Sequence, residues 1–349
     1  MKPMMWHRQS NEPSDATRSP AVNSTTINNN NNKKDQSMDY WRYDQLIQSR
    51  QRETPLHTAI VHPTDQELLK DIVNAAHMNL IQPILIGPIA RIQRVAREAD
   101  IDIGPIRIID ALHSHHAAEI GVAMALAGDV KALMKGSLHT DEIMGEVVKK
   151  NGGLRTDRRI SHVFIMDIPD FPRPLLITDA AINIAPNLAT KVDICQNAID
   201  LAHALGIPNP KVAVLSAVET VNPDMQSTLD AAALSKMTER GQIVGGIVDG
   251  PLAYDNAVSL EAAQTKGISS PVAGFADILL APDLEAGNML AKQLTWQARA
   301  DGAGIVLGAK VPIILTSRSD HTRTRLASMA VAARLVDSRT EGASRKAVF

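Results

Sequence analysis

The segment DQELLKDIVNAAHMNLIQPILIGP, residues 65–88, determines the fold class of this chain. Residues 65–78 carry apolar side chains at helical spacing, and Thr64 is placed to cap that helix. Residues 83–86 form a short apolar run that a Gly-Pro pair ends, which is typical of a buried strand. A helix followed at once by a buried strand predicts one unit of a parallel α/β sheet.

The alternation of helix and strand continues beyond this segment. Further helices are predicted at residues 89–99, 115–127, 188–205, 225–239, 285–297 and 322–336, and further strands at residues 106–109, 132–134, 212–215, 243–248, 278–280 and 312–315. Residues 163–167 and 175–178 are two strands joined by a proline-rich turn that is too short for a parallel crossover, so they predict a hairpin. We therefore expect an α/β fold with a mostly parallel sheet and one hairpin.

Composition limits the kind of protein. The chain has 349 residues with 44% hydrophobic and only 3% aromatic residues, so its core is aliphatic and a base-stacking nucleic-acid binder is not expected. The formal net charge of −2 provides no field for nucleic acid or an acidic membrane. No run of about 18 apolar residues predicts a transmembrane helix. The single cysteine, Cys195, excludes a disulfide framework and fits the reducing cytoplasm.

The first 37 residues differ from the rest of the chain. They include five consecutive asparagines at residues 28–32, followed by two lysines. A segment of this kind has too little apolar surface to offset the entropy lost on ordering. Residues 1–37 are therefore predicted to be a disordered tail.

Three polar loops follow predicted strands, at the edge where open α/β sheets bind ligands. TSRSD, residues 316–320, combines hydroxyls, a guanidinium and a helix N-terminus, which suits a phosphate or an acyl phosphate. KGSLHT, residues 135–140, has a glycine that lets the backbone approach a ligand, and donors that suit an anion. PDLEAGN, residues 282–288, also follows a strand, and its Gly287 and Asn288 are expected to open a helix there. Helix capping or an ordinary turn explains each loop as well, so spacing alone leaves both interpretations open.

In this order and spacing, the motifs resemble the phosphate acetyltransferase and phosphate butyryltransferase family, from about Asp65 to Arg339. The supporting segments are MKGSLHT (134–140), DAAINIAP (179–186), AVLSAVET (213–220), DGPLAYDNAVS (249–259), SPVAG (270–274), PDLEAGN and VPIILTSRSD (311–320). TSRSD and DAAINIAP are more similar to the butyryl-type branch.

The resemblance implies an α/β fold of two domains with the active site in the cleft between them, similar to the isocitrate and isopropylmalate dehydrogenases. Residues 38–155 and 312–349 would form the first domain and residues 156–311 the second, with mostly parallel sheets and the hairpin in the second domain. It also implies a homodimer with no metal and no cofactor, because coenzyme A is a substrate.

The implied reaction transfers a short acyl group, acetyl or butyryl, so that acyl-CoA and inorganic phosphate give acyl phosphate and CoA. By resemblance, Arg318 holds the phosphoryl group and Ser317 stabilises the transition state. The chain departs from the acetyl-type pattern at residues 322–324, where that pattern places its base, so Asp320 is the candidate base and His321 the second candidate. The implied substrate-binding residues are Lys135, Gly136, Ser137, His139, Thr140, Asn288 and Thr316.

Two other functions are considered from the sequence. A non-catalytic CoA or acyl-phosphate binding protein fits the altered base region. A metal-dependent decarboxylating dehydrogenase would use the related fold, but it requires several converging aspartates and a dinucleotide site. No G-x-G-x-x-G motif follows a predicted strand.

Overall fold

Strands and helices alternate along the part of the chain that the computed structural model describes, which is residues 42–50, 54–317 and 320–346. The side chains of residues 50 and 342–346 are not described. The predicted tail, residues 1–37, and Arg318 both lie outside the described residues. Tyr40–Phe349 form one compact unit, and the description below concerns that unit alone.

The strands of this unit are β1 (Leu56–Val61), β2 (Ile81–Gly87), β3 (Arg107–Asp110), β4 (Ala132–Lys135), β5 (Ser161–Asp167), β6 (Leu175–Thr178), β7 (Lys211–Leu215), β8 (Ile247–Leu252), β9 (Ile278–Leu280), β10 (Asp301–Leu307) and β11 (Ile313–Ile314). The helices are α1 (Tyr43–Arg50), α2 (Gln66–His77), α3 (Ile89–Glu98), α4 (Ser114–Ala127), α5 (Thr140–Val147), α6 (Leu188–Ala204), α7 (Gln226–Glu239), α8 (Tyr254–Val258), α9 (Leu260–Thr265), α10 (Leu284–Gln297) and α11 (Thr322–Lys346).

These strands form a single mixed sheet in the order β3-β2-β1-β4-β11-β10-β5-β6-β9-β7-β8. The first five strands of that order are mutually parallel, and so are the last four. Between the two parallel blocks, β10 pairs antiparallel with both β11 and β5, and β5 pairs antiparallel with β6. The mostly parallel α/β sheet and the β5–β6 hairpin are thus confirmed. Because the sheet runs through both proposed domains without a break, the division at residues 155 and 312 stays a prediction.

One face of this sheet, here called the covered face, is packed by helices from end to end. Its side chains form one apolar cluster with α1, α2, α3, α6, α7 and α11. Strand residues in this cluster include Ile60, Met134, Ile314, Ile305, Ile165, Ile278 and Val212. Alternation along each strand directs every second side chain to this face.

The opposite face, here called the divided face, carries two separate apolar clusters. Helices α4 and α5 form one cluster with β1, β4 and β11, whereas α8, α9 and α10 form the other with β6, β7 and β9, and α10 also contacts β5 and β10. The gap between the clusters lies over the parts of β5 and β10 that α10 leaves uncovered. This gap positions the site described below.

Several local predictions need correction. Asp65, not Thr64, caps α2, because its carboxylate accepts the Leu68 N–H at 2.9 Å. The strand predicted at residues 243–248 is β8, Ile247–Leu252. It contains Pro251, which an edge strand tolerates because one row of its backbone groups has no strand partner. Strands β1 and β10 and helices α1, α8 and α9 were not predicted.

Candidate active site

A cavity of about 760 Å³ occupies the gap on the divided face. It lies beside the ends of β4 and β11, and α10 borders it on the other side. Eight of the residues predicted from the sequence line this cavity: Lys135, His139, Thr140, Asn288, Thr316, Ser317, Asp320 and His321. The three polar loops are therefore brought together in one place, while the role of each residue stays a prediction.

The KGSLHT loop supplies the cavity with a buried cation. Lys135 ends β4 with 7% of its side chain exposed, and its Nζ donates to the carbonyls of Gly136 and Leu138 at 3.3 Å each. A Cβ at Gly136 would lie 2.3 Å from the Val61 carbonyl oxygen, so only glycine fits there. The Ser137 hydroxyl accepts the Thr64 N–H at 3.3 Å. Gly136 and Ser137 thus hold the loop against β1, and neither lines the cavity.

The next turn of this loop begins helix α5 at the edge of the cavity. The backbone N–H of His139 donates to Glu142 Oε2 at 2.7 Å, which closes the first turn. The Ser114 hydroxyl also donates to Glu142, and His115 Nε2 lies 3.4 Å from it. The hydrogen bond from Ser114 is the main cause that lowers the pKa of Glu142. The helix start is therefore held in place by a carboxylate beside the cavity.

The turn after β11 brings Ser317 and Asp320 together through the backbone of Ser317. Asp320 Oδ2 accepts the backbone N–H of Ser317 at 2.7 Å, and the Asp320 N–H donates back to the Ser317 carbonyl at 3.3 Å. Burial raises the pKa of Asp320 above its ordinary value, although the Ser317 N–H and the charges of Arg325, Lys135 and His321 oppose that shift. A raised pKa makes the carboxylate a better proton acceptor. The same geometry also closes the turn, so both interpretations of Asp320 are compatible with it.

Two arginines follow this turn, and both are bound by carboxylates. Arg323 forms ion pairs with Asp44, Asp167 and Asp301. Arg325 is buried and pairs with Asp71 of α2 at 2.6 Å. These contacts tie the start of α11 to α1, α2 and the middle strands. Neither arginine replaces the carboxylate that the acetyl-type pattern places in this region.

The PDLEAGN loop begins α10 earlier than the sequence predicted. The helix starts at Leu284, capped by the Asp283 carboxylate, which accepts the Ala286 N–H at 2.8 Å. The prediction that Gly287 and Asn288 open the helix is wrong, since both lie within it. The Asn288 amide donates to the Ala180 carbonyl at 3.0 Å, which fixes the side chain beside the cavity.

Two residues of β5 that line the cavity, His162 and Phe164, were not identified from the sequence. His162 has 1% of its surface exposed, and its Nδ1 has no hydrogen-bond partner among the described residues. Burial lowers the pKa of His162 to about 4, with the charge of Asp179 acting in the opposite direction, so the ring is neutral at neutral pH. Phe164 packs against His162 with ring centroids 4.4 Å apart. A strand interior bears no motif, so no sequence signal marked these two residues.

The arrangement has the parts that acyl transfer to or from phosphate requires. A lysine ammonium and a helix start favour anionic oxygens, and a carboxylate of raised pKa can accept a proton. Among the described residues, no group of three His, Cys, Asp or Glu side chains is placed to hold a metal ion. No helix in the described part of the chain is long and apolar enough to cross a membrane.

Known proteins share this chain's sequence and fold. Residues 114–333 match the family model described as phosphate acetyl/butaryl transferase. A phosphate acetyltransferase from Rhizobium meliloti is 59% identical over 292 residues, covering 84% of this chain and 92% of that protein. A phosphate butyryltransferase from Clostridium beijerinckii is 41% identical over 292 residues, covering 83% of this chain and 96% of that protein. Identity is thus higher with this acetyl-named relative than with the butyryl-type branch that the motifs favoured.

A solved structure supports the same relationship. The branched-chain phosphotransacylase from Enterococcus faecalis V583 superposes with a TM-score of 0.72 at 32% identity, covering 80% of this chain and 99% of that chain. The family model, the two relatives and this structure agree with the motifs quoted above. The chain belongs to the phosphate acetyltransferase and phosphate butyryltransferase family.

Proposed function

We propose that this protein transfers a short acyl group reversibly between coenzyme A and inorganic phosphate, so that acyl-CoA and phosphate give acyl phosphate and CoA. The observation that carries the proposal is one cavity holding Lys135, Ser317 and Asp320, in a chain of the family established above. Lys135 supplies positive charge and Asp320 a carboxylate of raised pKa. Both are suited to a reaction that moves one proton and develops negative charge on oxygen.

In the direction from acyl phosphate to CoA, the thiol must lose a proton before it attacks. A free thiol has a pKa near 8.5, so at neutral pH a base assists, and we assign that role to Asp320. The thiolate then forms a bond with the acyl carbon, and the bond from that carbon to the phosphate oxygen breaks. Lys135, Ser317 and Arg318 stabilise the negative charge that grows on the carbonyl oxygen and the departing phosphate.

The substrate is held by the loops that meet at the cavity. His139, Thr140, Asn288 and Thr316 line it and supply hydrogen-bonding groups. Lys292 and Arg299 line the same cavity with exposed side chains, and they are the cations we assign to the CoA phosphates. We also propose that the protein is a cytoplasmic homodimer and that its reaction uses neither a metal ion nor a cofactor.

The direct test is release of free thiol from acetyl-CoA and from butyryl-CoA in the presence of inorganic phosphate. We expect phosphate-dependent thiol release with at least one of the two thioesters. A protein that binds CoA by calorimetry but releases no thiol from either one is a binding protein, and that result would reject the proposed reaction.

The role of the base is tested by Asp320→Asn in the direction from acyl phosphate to CoA. If Asp320 accepts the thiol proton, turnover at neutral pH falls by about 10²–10⁴-fold. The defect shrinks at alkaline pH, because free thiolate becomes abundant.

The matched control for this variant is Asp65→Asn. It changes a capping aspartate at the start of α2 and should be nearly neutral, since asparagine caps about as well. Full activity of Asp320→Asn across the pH range, beside a pH-dependent loss in His321→Ala, moves the role of base to His321.

A further inference from the structure

The aromatic residue Phe164 lies on the part of the sheet between the two apolar clusters of the divided face. The mechanism proposed above assigns it no role. Phe164 is half-buried on β5, lines the cavity and packs against the edge of the cluster under α10. The His162 ring stands beside it at an interplanar angle of 73°. One side of Phe164 is therefore fixed by packing, and the remainder borders the cavity.

The neighbouring strand explains why these two rings cannot move away. Gly304 of β10 lies directly opposite Phe164 in the strand register. A Cβ at Gly304 would lie 3.0 Å from His162 Nε2, 2.5 Å from the Leu315 carbonyl oxygen and 3.5 Å from Phe164 Cε1. The His162 ring thus occupies the space that the glycine leaves, against the backbone of the sheet. Phe164, packed on His162, has a rigid support behind it.

This support lies close to the proposed reacting centre. Leu315 bonds to Gly304 through its N–H at 3.2 Å, and Ser317 follows only two residues later. Two residues of extended chain span about 7 Å. An acyl group whose carbonyl sits at the Ser317–Asp320 turn can therefore direct its alkyl end toward Phe164.

We propose that Phe164 is a specificity-determining residue that closes the end of the acyl subsite, so that the acetyl group fits and longer acyl chains do not. The inference rests on the proposed function and adds the substrate class to it. The methyl group of an acetyl substrate contacts the Phe164 ring. The two further methylenes of a butyryl group meet that ring, which cannot withdraw because His162 and the β10 backbone lie behind it.

The test compares kcat/KM for acetyl-CoA and butyryl-CoA on the same enzyme preparation. The ratio of the two values is independent of the fraction of enzyme that is folded. Wild-type enzyme should prefer acetyl-CoA. Because one methylene in an apolar pocket changes selectivity by about 10–200-fold, Phe164→Ala should raise the butyryl-to-acetyl ratio by about tenfold or more.

Two other substitutions keep the proposal falsifiable if the alanine variant does not fold. Phe164→Leu should shift the ratio toward butyryl-CoA to a smaller extent, and Phe164→Trp should shift it toward acetyl-CoA. The matched control is Phe275→Ala, since Phe275 is 41% exposed, contacts Lys211 and lies outside the cavity lining. That variant should leave the ratio unchanged.

The outcomes separate this inference from the proposed function. Wild-type enzyme inactive with both thioesters would overturn the proposed function, and the inference with it. An active wild-type enzyme that prefers butyryl-CoA, or Phe164 variants that keep the wild-type ratio, would overturn the inference alone.

Discussion

The two faces of the sheet are built from the same strands but are covered differently. On β5, Ile165 points to the covered face and is fully buried in a cluster that spans the sheet, whereas Phe164 points to the divided face and borders a cavity. Burying a large apolar side chain stabilises a fold by about 1.5–3 kcal/mol. The part of the sheet under the cavity lacks some of this stabilisation, because side chains such as Phe164 are not fully buried there. Adjacent residues of one strand thus face a continuous core on one side and a cavity on the other.

Buried lysines show the same contrast. Lys191 of α6, on the covered face, forms an ion pair of 2.7 Å with Asp230 of α7, and both side chains are buried. Gln226 also donates to Asp230 at 2.8 Å, so the polar groups of the pair are satisfied within the protein. Lys135, which is equally buried, ends at the cavity. Removing the charge of each lysine should therefore have opposite consequences.

The largest effect is expected for Lys191→Met. The substitution leaves Asp230 buried without its counter-charge, and breaking a buried ion pair in this way costs about 3–5 kcal/mol of folding free energy. Urea-induced unfolding measures the loss, and turnover per folded molecule should be unchanged. In the double variant Lys191→Met, Asp230→Leu, most of the stability should return, because an apolar pair needs no counter-charge. A stable single variant would contradict this assignment of the covered face.

Lys135→Met, on the divided face, is expected to reduce activity more than stability. It removes the cation from the place where negative charge develops, so kcat/KM should fall by about 10²–10³-fold, equivalent to about 2.7–4 kcal/mol of transition-state stabilisation. The urea midpoint should fall less than in Lys191→Met, because Lys135 donates to the carbonyls of Gly136 and Leu138 rather than to a buried carboxylate, and methionine fills a similar space. An active but unfolded-prone Lys135→Met protein would show that Lys135 is a structural residue like Lys191.

The sequence predicted most of the two parallel blocks, because their helices and strands have clear periodicity, but it missed β1 at the centre of the first block. It also missed β10, whose sequence DGAGIVL has two glycines, a residue type that is depleted in strands. Without β10, the antiparallel centre of the sheet was reduced to one hairpin. One of these glycines, Gly304, also leaves room for His162 against the backbone, whereas Gly302 leaves room for Met166.

The loops of the candidate site were predictable for a general reason. Ligands of α/β sheets bind beyond the carboxyl ends of parallel strands. Lys135 and Ser317 could therefore be located because they directly follow predicted strands. His162 and Phe164 lie inside a strand of the antiparallel centre, where that rule does not apply. Whether they face a core or a cavity depends on where α10 ends its cover, and that is a matter of tertiary packing.

The smallest expected effect is on the pH dependence of stability. It arises from the titration of His162, which lies on the divided face. In the folded protein burial lowers the pKa of His162 to about 4, from an ordinary value of 6.5. Between these two values the unfolded chain binds a proton that the folded chain does not, so the free energy of unfolding falls as the pH falls through this window. At 1.36 kcal/mol for each pKa unit, this loss of unfolding free energy from His162 reaches about 3 kcal/mol at pH 4, and it vanishes above pH 7.

His162→Gln removes this contribution while keeping a polar side chain at the cavity. Stability measured by urea unfolding at pH 7 and at pH 4.5 should therefore decline less in the variant than in the wild type, and His57→Gln, at an exposed position of β1, controls for the loss of a histidine. Other groups titrate in the same range, but they are common to all three proteins and cancel in the comparison. An equal decline in His162→Gln and wild type would mean that His162 is solvated in the free protein. The gap between the two apolar clusters would then be open to water down to the sheet, and His162 would no longer give Phe164 a rigid support.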